Sequence, residues 1–561
     1  MQDFPWLAHY QKGVPHEINP DRYRHIPDLL DTVAQEAPSR PIFTNMGSTL
    51  TAAEVKSLSE DLAAYFQSIP DLKKGDRVAI MMPNTLQYVV TVFAILKAGL
   101  VVVNVNPLYT SRELLHQLKD SGAKAIVIVE NFARTFEAIQ DASPVKHVVL
   151  TEIGDLFNPL KGALVNFVVK YVKKMTPKHS LNALSFRDAL DFGRRNGYRP
   201  VEIANTDVAL LQYTGGTTGV SKGAMLTHRN VLANVEQTGI WISTTFEKGR
   251  EVAMCALPLY HIFSFTATLC FLHWQARSVL ITNPRDMEGL VKEVKKWRFT
   301  IFTGVNTLFN ALLNRTSFTS LPFNVKMTVA GGTQIQQSVA ERWKAVTGNS
   351  ILEAYGLTEA SPGICGNLPD APWDGSVGYP LPSTEVSIRG EGFKDLGVCE
   401  DKSLVEQFTG EICAKGPQVM LGYWEKPDET ASVFRDGWLK TGDVGYMDAT
   451  GKVTITDRKK DLILVSGFNV YPNEVEGVIA SMPGVLEVGV VGVPSEKSGE
   501  TVKAVIVRKD PTITKDDVRK FCRTQLTGYK VPREIVFVSQ LPKTAVGKIL
   551  RRDLKALADE G

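Results

Sequence analysis

The order of apolar and polar positions predicts short strands that alternate with amphipathic helices over most of the chain. Runs rich in Val and Ile occupy residues 77–82 and 100–105, and residues 85–98 between them have helical spacing. The same rhythm returns after residue 207. Strands alternating with helices are typical of a mostly parallel sheet covered by helices on both faces. We therefore predict an α/β fold with doubly wound subdomains.

The pattern changes after about residue 376, where short strands separated by Gly and Pro indicate a β-rich subdomain. Residues 389–408 have no clear period and predict a surface loop. A charged segment at 457–461 precedes a last stretch with enough strand and helix pattern for a small α+β domain. We place the boundary at Lys460, between an N-terminal domain of residues 1–459 and a C-terminal domain of residues 460–561.

Length and charge narrow the class of protein. A chain of 561 residues exceeds what one hydrophobic core usually supports, about 250–300 residues, so two or more domains are expected. Lys plus Arg total 63 and Asp plus Glu total 60, which lacks the basic excess of a nucleic-acid-binding protein. The chain begins without the basic region and apolar core of a signal peptide.

Two further features favour a cytoplasmic protein. The six cysteines form no CxxC pair and no zinc-ligand spacing, so we expect them to be reduced and structural. The most apolar stretch, residues 88–105, is broken by Lys97, Gly99 and Asn104. This stretch predicts a buried helix followed by a strand, because a bilayer span needs about 20 mostly apolar residues.

The densest group of candidate binding residues follows the predicted strand at 208–214. Residues 213–223 read YTGGTTGVSKG, in which the glycines let the backbone approach an anion and direct N–H groups toward it. The hydroxyls and Lys222 suit a triphosphate. A P-loop has a glycine directly before its lysine, and here Ser221 holds that position, so the spacing is not that of a P-loop. A surface loop is the alternative. The candidate phosphate ligands are Tyr213, Thr214, Gly215, Gly216, Thr217, Thr218, Gly219 and Lys222.

This segment resembles the phosphate-binding motif of the acyl-adenylate-forming superfamily, which includes acyl-CoA synthetases, luciferase and peptide-synthetase adenylation domains. Other motifs follow in the family's order over essentially the whole chain: PLYH at 258–261, AGG at 330–332, EAYGLTE at 353–359, GWLKTGD at 437–443, DRKKD at 457–461 and PKTAVGK at 542–548. Residues 436–461 are similar to the signature of fatty acyl-CoA synthetases, and bacterial long-chain fatty-acid–CoA ligases are the nearest resemblance. Thr333-Gln334 and Lys440 depart from the usual residues.

The resemblance implies that a medium- or long-chain fatty acid reacts with ATP to give acyl-AMP and pyrophosphate, and that the acyl group then passes to CoA. It implies contacts with ATP at Gly331, Gly332, Tyr355, Gly356, Thr358, Asp443 and Arg458. It implies Mg²⁺ at Glu359 with Thr214, a catalytic Lys548, a hinge at Lys460 that makes the C-terminal domain mobile, and His261 near the substrate carboxylate. It implies CoA contacts at Ser466, Gly467 and Phe468, and a fatty-acid pocket near Phe265, Gly304 and Val305.

These roles agree with elementary chemistry. Mg²⁺ prefers hard oxygen ligands and keeps several waters. The acceptor-only carboxylate of Asp443 suits the vicinal hydroxyls of a ribose. A cationic Lys548 stabilises charge that develops when two anions react, a step that depends mainly on positioning and neutralisation. Taken singly, Asp443 is also suited to a turn, Lys548 to a solvated basic face and His261 to a core position.

Three alternatives stay open for the function. The chain resembles other ligases that form acyl-adenylates, namely aryl-CoA ligases and enzymes that load a carrier protein. A catalytically silent nucleotide- or acyl-binding protein is a further class, although Glu359, Asp443 and Lys548 are all present. The expected partners are small molecules and not nucleic acid, and a homodimer is one open assembly.

Residues 161–178 predict an amphipathic helix. One face carries Asn166, Lys170, Lys173, Lys174 and Pro177, and the other carries Leu164, Val165, Phe167, Val168, Tyr171, Val172 and Met175. A basic amphipathic helix suits an anionic membrane surface. The alternative is a helix packed into the core with a solvated basic edge, and we favour that alternative.

Overall fold

The structure is a computed structural model, and it describes residues 4–214, 221–369, 371–466, 468–495, 498–544 and 547–560. These residues form four β-sheets, three before Lys460 and one after it. This arrangement confirms the predicted α/β fold with a large N-terminal part and a small C-terminal part. Among the described residues no helix is long and apolar enough to cross a bilayer.

The chain up to residue 227 alternates strands and helices. Its strands are β1 (Pro41–Asn45), β2 (Ser48–Thr51), β3 (Arg77–Met81), β4 (Val101–Asn104), β5 (Ala125–Val129), β6 (His147–Thr151), β7 (Leu184–Ser185), β8 (Val208–Thr214) and β9 (Lys222–Thr227). Its helices are α1 (Ile26–Glu36), α2 (Ala52–Gln67), α3 (Leu86–Lys97), α4 (Ser111–Ser121), α5 (Ala133–Glu137), α6 (Pro159–Phe167) and α7 (Phe186–Asn196).

Seven of these strands form one sheet in the order β7-β6-β5-β3-β4-β8-β9, parallel except for β8 with β9. All five side chains of β5 are buried, as expected for a parallel strand covered on both faces. Every residue of α3 is also buried, which confirms the prediction of a buried helix followed by a strand at 88–105.

The second sheet is formed mainly by residues 228–380. Its elements are α8 (His228–Trp241), β10 (Val252–Cys255), α9 (Ile262–His273), β11 (Arg277–Leu280), α10 (Met287–Trp297), β12 (Ile301–Gly304), α11 (Asn306–Leu313), α12 (Thr316–Thr319), β13 (Met327–Gly331), α13 (Gln337–Thr347), β14 (Ile351–Gly356), β15 (Gly363–Gly366) and β16 (Tyr379–Pro380). The strand order is β16-β15-β14-β13-β12-β10-β11-β1-β2, with a parallel centre and antiparallel edges.

The third sheet is antiparallel and confirms the predicted β-rich subdomain. Its elements are β17 (Glu385–Arg389), α14 (Val405–Phe408), β18 (Gly410–Lys415), α15 (Pro427–Val433), β19 (Phe434–Arg435), β20 (Trp438–Met447) and β21 (Val453–Arg458). The prediction that residues 389–408 hold no element is wrong in part. Two short 3₁₀ turns and α14 lie there, and helices this short leave no readable period.

The C-terminal part carries its own sheet and core. Its elements are β22 (Ile463–Val465), β23 (Phe468–Val470), α16 (Pro472–Ser481), β24 (Val485–Ser495), β25 (Gly499–Arg508), α17 (Lys515–Arg523), β26 (Glu534–Phe537) and α18 (Arg551–Leu554). Its core includes Ile463, Val475, Val490, Ile506 and Cys522. The boundary at Lys460 as a hinge stays a prediction.

The helix predicted at 161–178 corresponds to α6 and a π-helical turn at Val168–Val172. Part of its polar side faces the protein: Asn166 donates to Glu152 Oε2 at 2.9 Å and Lys170 pairs with Glu130 at 3.2 Å. Gly154 and Gly162 allow close packing, because a Cβ on either would lie within 2.6 Å of the other's carbonyl oxygen.

The apolar side of this helix faces solvent. Its exposed large side chains are Leu160, Leu164, Phe167, Tyr171, Val172 and Met175. The favoured prediction of core packing is therefore wrong. The sequence period is that of an amphipathic helix, but it does not show which side meets the protein. Here the partly buried Glu130 and Glu152 bind residues of the polar side.

Candidate active site

One cavity of about 770 Å³ lies at the carboxyl ends of the parallel strands of both large sheets. The ends of β4, β8, β12, β13 and β14 all reach it, the position where open α/β sheets bind ligands. The predicted site residues that line it are Tyr213, Thr214, Lys222, His261, Gly331, Gly332, Tyr355, Gly356, Thr358, Glu359, Asp443, Arg458, Lys460 and Lys548. Residues from distant parts of the chain thus meet in one chamber.

Strands β8 and β9 form the two sides of the predicted phosphate loop. Thr214 pairs with Lys222 across them. The predicted ligands Gly215, Gly216, Thr217, Thr218 and Gly219 lie outside the described residues. At the base of the loop, the Tyr213 hydroxyl donates to Asp120 Oδ2 at 2.8 Å. Burial, followed by the Asp120 charge, raises the pKa of Tyr213 far above its usual value, so this phenol stays a hydrogen-bond donor.

Asp443 is held on both sides. It accepts a hydrogen bond of 2.8 Å from the Tyr355 hydroxyl and an ion-pair contact of 3.2 Å from Arg458 Nε. Strand pairing places Asp443 directly opposite Arg458. A carboxylate fixed in this way at the cavity wall can accept hydrogen bonds from a diol without first losing side-chain freedom.

Lys548 enters the cavity from the C-terminal part. A Cβ added at Gly332 would lie 3.4 Å from its Cε and 3.8 Å from its Nζ, so the lysine side chain lies directly beside this turn. Burial, and then Arg458, lower the pKa of Lys548 to about 8, while Asp443 and Glu359 act in the opposite direction. A bound anion would favour the charged form and raise the pKa again.

His261 begins α9, where its Nδ1 accepts from the N–H of Phe263 at 3.3 Å. Burial, and then the charge of Lys548, lower the pKa of His261 to about 4. The imidazole is therefore neutral near pH 7. It can offer a hydrogen bond to a carboxylate, but it does not bring a second positive charge.

Buried amides that sequence reasoning missed hold the loop before His261. Asn84 donates to the carbonyls of Cys255 and Leu257 and accepts from the N–H of Leu259 at 2.8 Å. Gln212 donates to the carbonyl of Tyr260 at 2.8 Å. The signal available was a polar side chain inside or shortly after an apolar strand, since buried polar groups nearly always have partners.

Glu353 supports the turn at Gly331 and Gly332 and was also missed. It accepts from the indole N–H of Trp373 at 2.7 Å and from the N–H of Ile335 at 3.2 Å. Burial raises the pKa of Glu353 to about 8. The turn that faces Lys548 is thus held from behind by a buried carboxyl group.

Side chains of α8 and α9, with residues of β13 and β14, form a largely apolar part of the cavity lining. This part includes Thr238, Trp241, Ile242, Thr266, Ala267, Cys270, Phe271, Met327, Val329 and Leu352. The lining residues along α9 extend from His261 to Phe271, roughly 15 Å at a helical rise of about 1.5 Å per residue. Trp241 is fixed by a 2.9 Å hydrogen bond from its indole to the carbonyl of Asn367.

The predicted pocket residues Phe265, Gly304 and Val305 are not among the residues that line the cavity. Phe265 and Val305 are buried, and a Cβ at Gly304 would lie 2.7 Å from the ring of Phe309. Thr303 reaches the cavity in their place. The sequence located the right strand and helix, but not which of their faces lines the chamber.

The predicted CoA contacts lie away from the cavity in this arrangement. Ser466 donates its N–H to the carbonyl of Ser498 at 2.8 Å. Phe468 is 57% exposed and stacks on Tyr529 at 4.9 Å. Gly467 lies outside the described residues. This face of the C-terminal part therefore points elsewhere while Lys548 occupies the cavity.

Arg551 links the two parts beside Lys460. Its guanidinium contacts Asp457 at 3.1 Å before the hinge, and Asp461 and Glu476 at 3.0 Å after it. Asp457 is 1% exposed. A partly buried arginine three residues after Lys548 thus joins the lysine loop to both sides of the predicted hinge.

Comparison with known proteins agrees with this geometry. Residues 30–424 match the AMP-binding enzyme family, and residues 474–548 match the AMP-binding enzyme C-terminal domain. The long-chain-fatty-acid–CoA ligase of Escherichia coli O6:H1 is 53% identical over 98% of this chain and 97% of its own. The ligase of that name from Haemophilus influenzae is 50% identical over 98% of both chains.

Two solved structures share the whole fold. ATP-bound MatB from Rhodopseudomonas palustris superposes with a TM-score of 0.79 at 28% identity, covering 95% of this chain and 98% of its own. The anthranilate CoA ligase AuaEII, in complex with anthranoyl-AMP, has a TM-score of 0.84 at 22% identity, covering 96% of this chain and 98% of its own. The second likeness shows the fold alone.

Proposed function

Because the chain belongs to the AMP-binding enzyme family, we propose that it activates medium- or long-chain fatty acids and joins them to CoA. A carboxylate oxygen attacks the α-phosphorus of ATP, and the bond to pyrophosphate breaks to give acyl-AMP. The CoA thiolate then attacks the acyl carbon, and the bond to AMP breaks to give acyl-CoA.

The observation that carries this proposal is the mixed lining of the cavity. Asp443, Glu359 and Tyr355 line it together with apolar side chains of α8 and α9, and Lys548 and His261 line it as well. A fatty acid bound there would have its chain among the apolar side chains and its carboxylate beside Lys548. Positioning of two anions with a compensating charge is what this reaction needs.

Each wall residue has one role in the first step. Asp443 accepts hydrogen bonds from the ribose, Tyr355 lies against the adenine, and Arg458 and Lys222 neutralise phosphate charge. Lys548 holds the attacking carboxylate and the α-phosphate together and stabilises the charge that develops between them. His261 donates a hydrogen bond to the carboxylate in its neutral form.

Mg²⁺ fits the residues present. Glu359, with the Thr214 hydroxyl, would hold it, and the ion would neutralise the phosphates. The described residues contain no cluster of three or more His, Cys, Asp or Glu side chains that would form a protein cage for a metal. That suits Mg²⁺, which is usually bound by one or two carboxylates together with substrate phosphates and waters.

The second step requires that Lys548 leave and that the face at Ser466 and Phe468 approach, by rotation of the C-terminal part about Lys460. A hinge needs a few residues that absorb a change in backbone angles. Proline at position 460 fixes φ, so Lys460→Pro impairs transfer to CoA more than adenylation, whereas Lys460→Ala spares both. Equal loss in the two half-reactions of the proline variant would refute the hinge.

Pyrophosphate release from ATP and Mg²⁺ tests the substrate class. Acids from acetate to oleate are compared with aromatic acids, each with and without CoA, and with a carrier protein in place of CoA. Release that peaks at medium or long chains and rises with CoA supports the proposal. A peak with aromatic acids would favour an aryl-CoA ligase, and a need for the carrier protein would favour carrier loading.

A cytoplasmic location with peripheral attachment to the inner face of the membrane is part of the proposal. All six cysteines are buried and free, in keeping with a reducing compartment. The helix at 159–172 presents apolar side chains outward, Leu164 at 62% and Phe167 at 55% exposed. Exposed lysines at 173, 174 and 178 follow it. Apolar anchors with flanking cations suit an anionic lipid surface.

Sedimentation with phosphatidylglycerol vesicles tests this attachment. A triple variant, Leu164→Ser, Phe167→Ser and Tyr171→Ser, binds at least about tenfold more weakly because apolar burial is lost. Leu404→Ser, an exposed leucine elsewhere, binds like the parent. Turnover of a short, water-soluble acid stays unchanged in both variants. Equal sedimentation of the triple variant and the parent would refute this surface.

A further inference from the structure

A short segment after β18, residues 420–424, is bonded on both of its sides to the nucleotide wall. On one side it pairs with β9: Leu421 donates to the carbonyl of Met225 at 3.1 Å, and Trp424 donates to that of Gly223 at 2.8 Å. On the other side the N–H of Met420 donates to the carbonyl of Glu359 at 2.8 Å. The segment therefore joins the strand of Lys222 to the turn of Glu359.

Tyr423 is the side chain that this segment places between the two charges. It is 8% exposed. Its hydroxyl donates to Glu359 Oε1 at 2.6 Å, and Lys222 Nζ lies over its ring, 5.3 Å from the centroid. Burial, followed by the charge of Glu359, raises the pKa of Tyr423, so the hydroxyl remains a donor at any working pH.

The two contacts use different parts of one rigid group. A hydrogen bond to a carboxylate is among the stronger kinds in proteins, and an ammonium over an aromatic face is attracted by the ring quadrupole. Lys222 and Glu359 carry opposite charges and line the same cavity, yet the described residues show no ion pair between them. Each of the two charged groups instead contacts Tyr423.

We propose that Tyr423 is a positioning residue that keeps Lys222 and Glu359 apart and aims them at different parts of Mg–ATP. Its hydroxyl fixes one carboxylate oxygen, which leaves the other oxygen for the cation. Its ring holds the ammonium ready for phosphate oxygens. The inference rests on the proposed use of ATP, and it adds a residue to which no motif in the sequence pointed.

ATP affinity, measured by calorimetry, distinguishes the contact of the Tyr423 hydroxyl with Glu359 from that of its ring with Lys222. Tyr423→Phe removes the hydroxyl and keeps the ring, so affinity for Mg–ATP falls about tenfold, as expected for one lost charge-assisted bond. Affinity for ATP in EDTA stays within about twofold of the parent. Tyr423→Leu removes both contacts and weakens binding under both conditions.

Tyr10→Phe is the matched control. Tyr10 also makes a short hydrogen bond, 2.6 Å to the carbonyl of Pro380, but it does not line the cavity. This variant binds ATP like the parent with and without Mg²⁺. A general loss of packing in Tyr423→Phe would lower both affinities together, so the difference between the two conditions is the measured quantity.

Two results would overturn the inference. Tyr423→Phe binding Mg–ATP as tightly as the parent would show that the hydroxyl does not orient Glu359. Equal weakening with and without Mg²⁺ would assign the tyrosine to packing alone. The parent is measured first, and if it bound no Mg–ATP, both the proposed function and this inference would fall together.

Discussion

The wall around Asp443 and the loop around Lys548 line the same cavity, but they are held in place differently. Asp443 is 6% exposed and lies on a strand, paired with Arg458 and hydrogen-bonded to a core tyrosine. The lysine loop bonds mainly to itself, as in Thr544 N–H to the carbonyl of Lys548 at 2.7 Å. Across the two parts of the chain, Thr307 donates to the carbonyl of Gly547 at 3.2 Å.

This difference matches the two half-reactions. A wall built into the sheets is present throughout, so it suits the nucleotide, which stays bound through both steps. A loop whose described residues bond largely to one another can be withdrawn without unfolding either part. Wall residues should therefore affect both half-reactions, and loop residues only the first.

The largest expected effect is that of Lys548→Met, which separates the loop from the wall most sharply. Adenylation falls by about a thousandfold, because a charge aimed at the transition state is lost. Transfer from supplied acyl-AMP to CoA stays within about twofold. Lys543→Met, on the same loop but paired with Glu487 at 2.5 Å, is the control and spares adenylation. Parallel loss of both half-reactions in Lys548→Met would erase the distinction.

Asp443→Asn tests the wall. The Kd for ATP, and that for supplied acyl-AMP, each rise about a hundredfold, since two charge-assisted hydrogen bonds to the ribose are weakened. Binding is followed by calorimetry. Asp436→Asn, an exposed residue in the turn before the same strand, changes neither value. An effect confined to the first half-reaction would contradict the assignment of Asp443 to the fixed wall.

Arg551→Met tests whether the ion pairs of Arg551 hold the loop of Lys548 in the cavity. Adenylation falls by about thirtyfold, because a partly buried guanidinium that neutralises Asp457 and Glu476 is lost and its partners are left unpaired. Transfer from acyl-AMP is spared. Arg552→Met is the control, because Arg552 is 61% exposed and pairs with its neighbour Asp553. If Arg551→Met left adenylation at the parent rate, Arg551 would have no part in placing Lys548.

The smallest expected effect is a pH dependence of adenylation that follows the charge of Lys548. Its pKa of about 8 lies below the usual value, so the charge is present below pH 8 and is lost as the pH rises. The kcat/KM for adenylation, which reports the free enzyme, falls about fourfold between pH 7 and pH 8.5. His261, with a pKa of about 4, does not titrate in this window. Lys548→Arg removes this decline, and its persistence in that variant would assign it to another group.

The sequence predicted those elements and site residues that belong to short local motifs. The strands before Thr214 and Gly331 and the polar residues at their ends follow from period and turn chemistry, and the resemblance assigned them to one site. Asp443 and Lys548, far apart along the chain, were placed together because the family's motifs occur in order. The cavity that gathers these residues agrees with that assignment.

What the sequence did not predict depends on tertiary contacts. Asn84 and Gln212 act through carbonyls of a loop that is distant in sequence. Tyr423 matters because of two neighbours on different elements. The helix at 159–172 has a clear period, yet whether its apolar side meets protein or water is decided by Glu130 and Glu152, to which its polar side is bonded.

The most direct test of the account follows one oxygen atom. Oleate labelled with oxygen-18 in its carboxylate is incubated with the protein, ATP, Mg²⁺ and CoA, and the AMP is analysed by mass spectrometry. Attack of the carboxylate on the α-phosphorus predicts that one labelled oxygen appears in AMP for each oleoyl-CoA formed. Unlabelled AMP, or label in phosphate with ADP as the product, would contradict the acyl-adenylate and with it the roles assigned to the wall and the loop.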